Sequence, residues 1–168
     1  MKRLKIFFSW LLVISVMLLI FMLSAQIADD SSELSEGLVS KLYRVFLRIT
    51  GIPCSTAEFD RTVLGLQFIV RKTAHFLIYL ILGSLFSNAY YQSEVKHLGK
   101  NFCYAIISSF LYAVTDEIHQ VFVAGRSGEL RDVFIDSTGS LTGTILFVLT
   151  VFLWRKYGYY KNFKKSCK

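Results

Sequence analysis

Residues 6–23 read IFFSWLLVISVMLLIFML, eighteen positions without a charge. At ~1.5 Å per helical residue such a run crosses a hydrocarbon core of ~30 Å. Lys2, Arg3 and Lys5 precede it, and basic residues favour the cytoplasmic flank of a membrane helix. A cleaved signal peptide is the competing reading, with Ala25 near a cleavage site. Leu23 is a poor small-residue partner for that site, and the run exceeds the usual ~7–15-residue apolar region, so the segment is expected to be retained. Three more apolar segments follow, at about 74–91, 101–123 and 133–154.

The composition agrees with that beginning. Of 168 residues 54% are hydrophobic and 15% aromatic, Pro53 is the one proline, and the mean hydropathy is +0.48. The expected fold is all-α: an integral membrane four-helix bundle forming a single domain over residues 1–168. A 19.3 kDa chain spent on four spans leaves no room for a second ordinary domain. Cys54, Cys103 and Cys167 are odd in number and unpatterned, so no disulfide framework or zinc pattern is implied. Cys103 is expected within a membrane segment.

Lysines and arginines orient the bundle. With a cytoplasmic N-terminus, the inner side holds Lys2, Arg3, Lys5, Lys96, Lys100, Arg155, Lys156, Lys161, Lys164, Lys165 and Lys168, with Glu94 as its one acid. The other eight basic residues accompany eleven of the 12 acids. The positive-inside rule therefore puts both termini in the cytoplasm. The net charge of +7 reports topology, and no nucleic-acid partner is expected.

Residues 30–70 form the extracytoplasmic link. Leu34, Leu38, Leu42, Val45, Phe46 and Ile49 recur at three- and four-residue steps, with Glu36, Lys41, Arg44 and Arg48 elsewhere. That pattern predicts an amphipathic helix on the outer membrane surface. Gly51-Ile52-Pro53 ends it, and Ser55-Thr-Ala-Glu58 reads as a capping box opening a helix that could continue through Arg71 into the second segment.

In this topology the unusual polar residues gather in the outer half of the membrane, and the inner half reads as ordinary hydrophobic helix. Ser24 and Gln26 close the first segment, Arg71, Lys72 and His75 open the second, Asp116-Glu117-Ile118-His119-Gln120 lies toward the outer end of the third, and Asp132 and Asp136 open the fourth. A charge at a helix centre costs at least ~2.5–3.5 kcal/mol in a bilayer, so a cluster of them marks a functional site. Spacing puts Arg71, His75 and Tyr79 on one helix face, Asp116 with His119 and Gln120 on another, and Asp132 above Asp136 on a third. Gly139-x-x-x-Gly143 extends that last face with small residues that permit close helix approach. Gly125 and Gly128 surround Arg126 and Ser127 in a loop suited to an anion such as phosphate or carboxylate, or Arg126 pairs with an acid of the same chain.

His75, Asp116, Glu117, His119 and Asp132 are the candidates for acid/base or catalytic work. Arg71, Lys72, Tyr79, Gln120, Arg126, Asp136, Ser24 and Gln26 are the candidate ligand-binding residues. No cofactor is predicted. A divalent metal could be held by such side chains, yet Asp-Glu-x-His lacks the His-Glu-x-x-His spacing that sets two zinc ligands on one face. Ser24, Ser127, Ser137 and Thr115 could supply a nucleophile, but no elbow motif singles one out. The same residues could instead be a buried polar network locking the helices, although an apolar interior would do so at lower desolvation cost.

Arg71-Lys-Thr-Ala-His-Phe-Leu-Ile-Tyr79, then Leu82-Gly83, Tyr112 with Asp116-Glu-Ile-His-Gln-Val-Phe122, Gly125-Arg126, Asp132 and Asp136-x-x-Gly139 resemble the signature of the VanZ-like family. Ser24-Ala-Gln26 resembles its opening motif. The likeness runs from about Phe21 to Gly143, and Ala124 departs from it where members often carry proline. It implies a single VanZ-like domain in a multi-pass protein of the bacterial cell membrane. The family takes its name from a member associated with teicoplanin resistance in glycopeptide-resistant bacteria.

Residues and resemblance together lead to three expectations. The first is an outward-facing polar site that binds or modifies an anionic lipid or a lipid-linked cell-envelope precursor, with a lipoglycopeptide antibiotic as a further candidate ligand; whether it catalyses is left open. The second is a non-enzymatic module with a structural polar core and a membrane-protein partner. The third is a small proton-coupled transporter, disfavoured by the apolar inner half.

Overall fold

The computed structural model describes residues 2–25, 28–124 and 128–166, with side chains described for all of these except 28–35 and 159–166. Five helices carry the described chain: α1 (Lys2–Ser24), α2 (Ala28–Thr50), α3 (Thr56–Gln92), α4 (Leu98–Val121) and α5 (Leu130–Ser166); no strand occurs among the described residues. The all-α expectation holds. α1, α3 and residues 130–158 of α5 are each long and apolar enough to cross a membrane. α4, the expected third span, is not among them. Lys100, Asn101, Asp116, Glu117, His119 and Gln120 dilute its apolar residues.

Phe7, Leu11, Leu18 and Met22 of α1 are 61%, 44%, 57% and 68% exposed. So many large apolar side chains on one surface suit hydrocarbon rather than water. The buried stripe of α1 is narrow, Ser9, Val13, Ile20 and Ser24. It meets a core in which Tyr79, Leu82 and Phe86 of α3 pack with Ala105 and Ala113 of α4.

The link between α1 and α3 follows its expected local chemistry. α2 ends at Thr50, and Ser55 caps α3: its Oγ accepts from the Glu58 amide (3.3 Å) while Glu58 Oε2 accepts from the Ser55 amide (3.0 Å). Both orphan donors of the first turn are thereby satisfied. α3 then runs unbroken for 37 residues, through Arg71 to Gln92. At ~1.5 Å per residue it is longer than a bilayer core, so its first turns extend beyond the expected second segment. α2 buries Val39 and leaves Leu38, Leu42, Val45, Phe46 and Ile49 exposed.

α3 is the hub, packing against each of the other four helices. Its tightest neighbour is α5, and the two run parallel, since Lys72 meets Asp132, Ser140 meets Tyr79 and Thr144 meets Gly83. A Cβ on Gly139 would strike the Phe76 carbonyl, and one on Gly143 the Leu80 carbonyl. The two backbones approach closely because these positions lack side chains. Ser140 Oγ donates to the Tyr79 carbonyl (3.2 Å), Thr144 Oγ1 to that of Gly83 (3.4 Å) and Ser84 Oγ to that of Gly143 (3.0 Å).

One expectation fails. The end of the bundle carrying Lys2, Lys96 and Arg155 is not ordinary hydrophobic helix inside. Ser87, Asn101 and Ser109 are fully buried there. Asn101 Nδ2 donates to the Ser87 carbonyl (2.9 Å), Asn88 Nδ2 to Ser9 Oγ (3.1 Å) and Trp10 Nε1 to Ser93 Oγ (3.0 Å). These residues are scattered singly along apolar segments, so an averaged hydropathy conceals them. Asn101, Asn88 and Trp10 find interhelical partners, while the Ser87 and Ser109 hydroxyls are buried with no hydrogen-bond partner among the described residues.

Candidate functional site

The stretch 116–120 of α4 reaches the end of the bundle where α1 stops and α5 starts. Asp116 is 3% exposed and draws three helices together. Its Oδ2 accepts from Ser24 Oγ of α1 (3.0 Å), from the Tyr79 hydroxyl of α3 (3.3 Å) and from Gln120 Nε2 one turn along α4 (3.3 Å). Gln120 Nε2 also lies 3.4 Å from Ser24 Oγ. A buried carboxylate without such donors would cost several kcal/mol, on the order of the desolvation of an ion. The other oxygen, Oδ1, is buried and has no hydrogen-bond partner among the described residues.

The α3–α5 seam supplies the neighbouring pairs. Its parallel register brings Lys72 Nζ onto Asp132 Oδ1 and His75 Nδ1 within 3.6 Å of Asp136 Oδ1. The Lys72 and Asp132 side chains are 14% and 16% exposed, and Asp136 is 1% exposed. Phe68 carries cations on its ring, with Lys72 Nζ at 5.4 Å and the Arg131 guanidinium at 5.3 Å from its centroid. Such contacts contribute about 0.5–1 kcal/mol each at exposed sites.

Glu117 ties α4 to the start of α5, its Oε1 accepting from the Glu129 amide at 2.5 Å. Its Oε2 is buried and has no partner among the described residues, as is true of His119 Nε2 and Ser137 Oγ. The His119 ring lies against Phe21, 4.3 Å between centroids and 25° between planes. Glu117 lies within electrostatic range of Asp116, Asp132 and Asp136, and Asp136 within that of Asp116 and Asp132. A family model described as VanZ/LLP1 matches residues 8–153.

The chain belongs to the VanZ/LLP1 family. No curated protein and no solved structure matches it. The matched span contains every residue of the polar cluster, and membership together with the three apolar helices fits a membrane protein.

Within this VanZ/LLP1 chain the expected residues fall into distinct groups. Ser24, Tyr79, Asp116 and Gln120 form the node; Lys72, His75, Asp132 and Asp136 form the two pairs; Glu117 and His119 stand beside them. Arg71 is half-buried on α3 and makes no ion pair with a described residue. Gln26, Arg126 and Ser127 lie outside the described residues. Among the described residues no group of three His, Cys, Asp or Glu side chains is placed to hold a metal ion. Of the candidate nucleophiles, Ser24 donates to Asp116, while Thr115 Oγ1 donates to the Tyr112 carbonyl (2.7 Å).

Sequence reasoning missed three participants. Phe21 lies one turn before Ser24, so i,i+3 spacing could have indicated it. Arg131 adjoins Asp132 and was counted only as a charge outside the membrane. The Glu129 amide has no side-chain signal.

Proposed function

We propose that this protein spans the membrane four times, α4 included, with both termini cytoplasmic and the polar site facing outward. The site holds the headgroup of a membrane lipid or lipid-linked envelope precursor. Helix direction supports the topology: α1 runs with α4, while α3 and α5 run against them. Lys2 bridges Glu94 (3.0 Å) and Arg155 donates to the Lys96 carbonyl (3.0 Å), so the basic flanks collect at the end opposite the site. The positive-inside rule makes that end cytoplasmic.

One observation carries the ligand class. A shallow groove of about 300 Å³ between α3 and α5 sets Lys72 and Arg131 beside Phe68, Phe76 and Ile135. Two cations over an apolar trough suit a phosphate ester attached to an acyl or prenyl chain. Phe68 and Ile69, 39% and 58% exposed, leave the trough open sideways to lipid. Lys72 spends its charge on Asp132, so among the described residues Arg131 and Arg71 are the neighbouring cations left for an anionic phosphate. Asp116, Glu117, His75 and His119 then face the remainder of the headgroup, where they orient it or exchange a proton. Resistance to teicoplanin or another lipoglycopeptide would follow from occupancy or alteration of that lipid.

Purified protein, washed into mild detergent and sprayed intact into a mass spectrometer, should retain a phosphate-bearing lipid. Arg131→Gln should release it. Retention of lipid unchanged by Arg131→Gln and by Phe76→Ala would remove the groove from the reading. The second reading, proton-coupled transport, gains from the buried Ser87, Asn101 and Ser109, because a path needs polar groups in both halves.

A further inference from the structure

Three of the orphaned atoms of the site, beside His119 Nε2 and Ser137 Oγ, are carboxylate oxygens. Asp116 Oδ1, Glu117 Oε2 and Asp136 Oδ1 belong to residues 3%, 7% and 1% exposed, and none has a hydrogen-bond partner among the described residues. His75 Nδ1 approaches Asp136 Oδ1 only to 3.6 Å, beyond hydrogen-bond length. Ionised carboxylates accept and never donate. In their ionised form these three oxygens are acceptors without donors among the described residues.

Charge points the same way. Four carboxylates face Lys72, already paired with Asp132, and His75, beside Asp136. Among these described side chains acid is in excess whether or not His75 carries a proton. An uncompensated buried carboxylate is among the most costly groups a protein can keep, and a cation relieves it far better than a neutral donor. A phosphate driven into this interior would meet like charge. A hydroxyl would satisfy one oxygen and leave the charge.

Geometry narrows the cation. Asp116 is bonded to Tyr79, and Asp136 lies against His75 one turn earlier on α3, so the two buried acids flank a single turn of that helix. No three acidic or histidine side chains among those described converge as a metal requires. An ammonium needs no coordination sphere, and its three N–H donors can be taken by two carboxylates.

We infer that the interior of the site takes the primary ammonium group of its ligand, held by Asp116 and Asp136 with Glu117 beside them, while the phosphate stays at the Arg131 rim. This rests on the proposed lipid-headgroup site and names the substrate class for it: an amine-bearing headgroup. The same ammonium chemistry is available in a small soluble amine.

The full chain in nanodiscs of phosphatidylglycerol is the starting point, with phosphatidylethanolamine or phosphatidylcholine titrated in and thermal unfolding as readout. The two added lipids share a phosphate and differ in whether the nitrogen carries N–H donors. Phosphatidylethanolamine should stabilise at about tenfold lower concentration than phosphatidylcholine, as expected for a buried charge-assisted contact. Asp136→Asn keeps the side chain's shape and should abolish that preference; Glu117→Gln, outside the central pair, should weaken it and serves where Asp136→Asn does not fold. Equal response to the two lipids, or a preference untouched by both variants, overturns the inference and leaves the lipid site standing. Response to none of the three lipids, against a lipid-free detergent control, overturns the lipid reading itself. A matching shift with ethanolamine alone upholds the ammonium site and assigns it to a soluble amine.

Discussion

Replacing Gly143 by alanine adds one methyl group where α5 touches α3. A Cβ there would collide with the Leu80 carbonyl and lie 2.8 Å from Ser84 Oγ. The serine can rotate; the backbone of α3 cannot. Overpacking of a well-filled contact costs about 1–3 kcal/mol. Separating the helices would also strain two seam bonds, Ser84 to the Gly143 carbonyl and Thr144 to that of Gly83, together about 1 kcal/mol at the ~0.6 kcal/mol measured for such bonds in membrane proteins. Alanine's better helix propensity offsets ~0.5–1 kcal/mol, so a net loss of about 2 kcal/mol is expected. Gly65, also helical, provides the control, because a Cβ there meets nothing within 4 Å. The identical substitution at Gly65 should stabilise by ~0.4–1 kcal/mol. Equilibrium unfolding in mixed micelles, titrated with a denaturing detergent, measures both. Shifts of the same sign, or a Gly143→Ala protein as stable as the parent, would refute the account of the seam.

Three further outcomes follow from the site and its far end. Tyr79→Phe removes one of three donors to buried Asp116 and should cost about 1–3 kcal/mol; combined with Ser24→Ala, which acts on the same oxygen, the loss should depart from additivity in a double-mutant cycle. Lys72→Gln strands Asp132 and should destabilise more than Asp132→Asn, while the double variant recovers part of the loss in thermal unfolding. Glu94 is held below the usual glutamate range, first by its hydrogen bond to Lys2 and then by that charge. A carboxylate with a lowered folded pKa stabilises above its unfolded value and loses that contribution as pH falls through the folded one. The difference between the parent and Glu94→Gln should therefore be small and salt-sensitive at pH 7 and vanish well below pH ~4.

Much of this was legible in the residues alone. Residues 6–23 declare a membrane helix by length and lack of charge, and Ser55 with Glu58 announces the start of α3 because capping is a local matter of four residues. Asp116 and Gln120 share a face by i,i+4 spacing, and they meet as expected. What spacing could not supply is the partner across helices. Lys72 is a candidate ligand-binding residue by sequence, whereas the parallel register of α3 and α5 commits it to Asp132. Asn101 and Ser87 are invisible to a hydropathy average, and their burial depends on which face of each helix meets the other. Arg131 was overlooked because its neighbour Phe68 lies on another helix.

The glycine seam and the polar site belong to one construction. Parallel helices in close contact keep a common rise of ~1.5 Å per residue, so the register set at Gly139 and Gly143 is transmitted toward the ends of α3 and α5. That register places Ser140 on the Tyr79 carbonyl, Asp136 beside His75 and Asp132 on Lys72, in order, over about two turns. Tyr79 in turn reaches Asp116 and ties the seam to α4 and α1. A buried acidic site loosens a bundle wherever its charges lack partners. Here the contact that stabilises the bundle by backbone proximity also sets the spacing of its acids, so a change that widens the seam should disturb the site before it unfolds the protein.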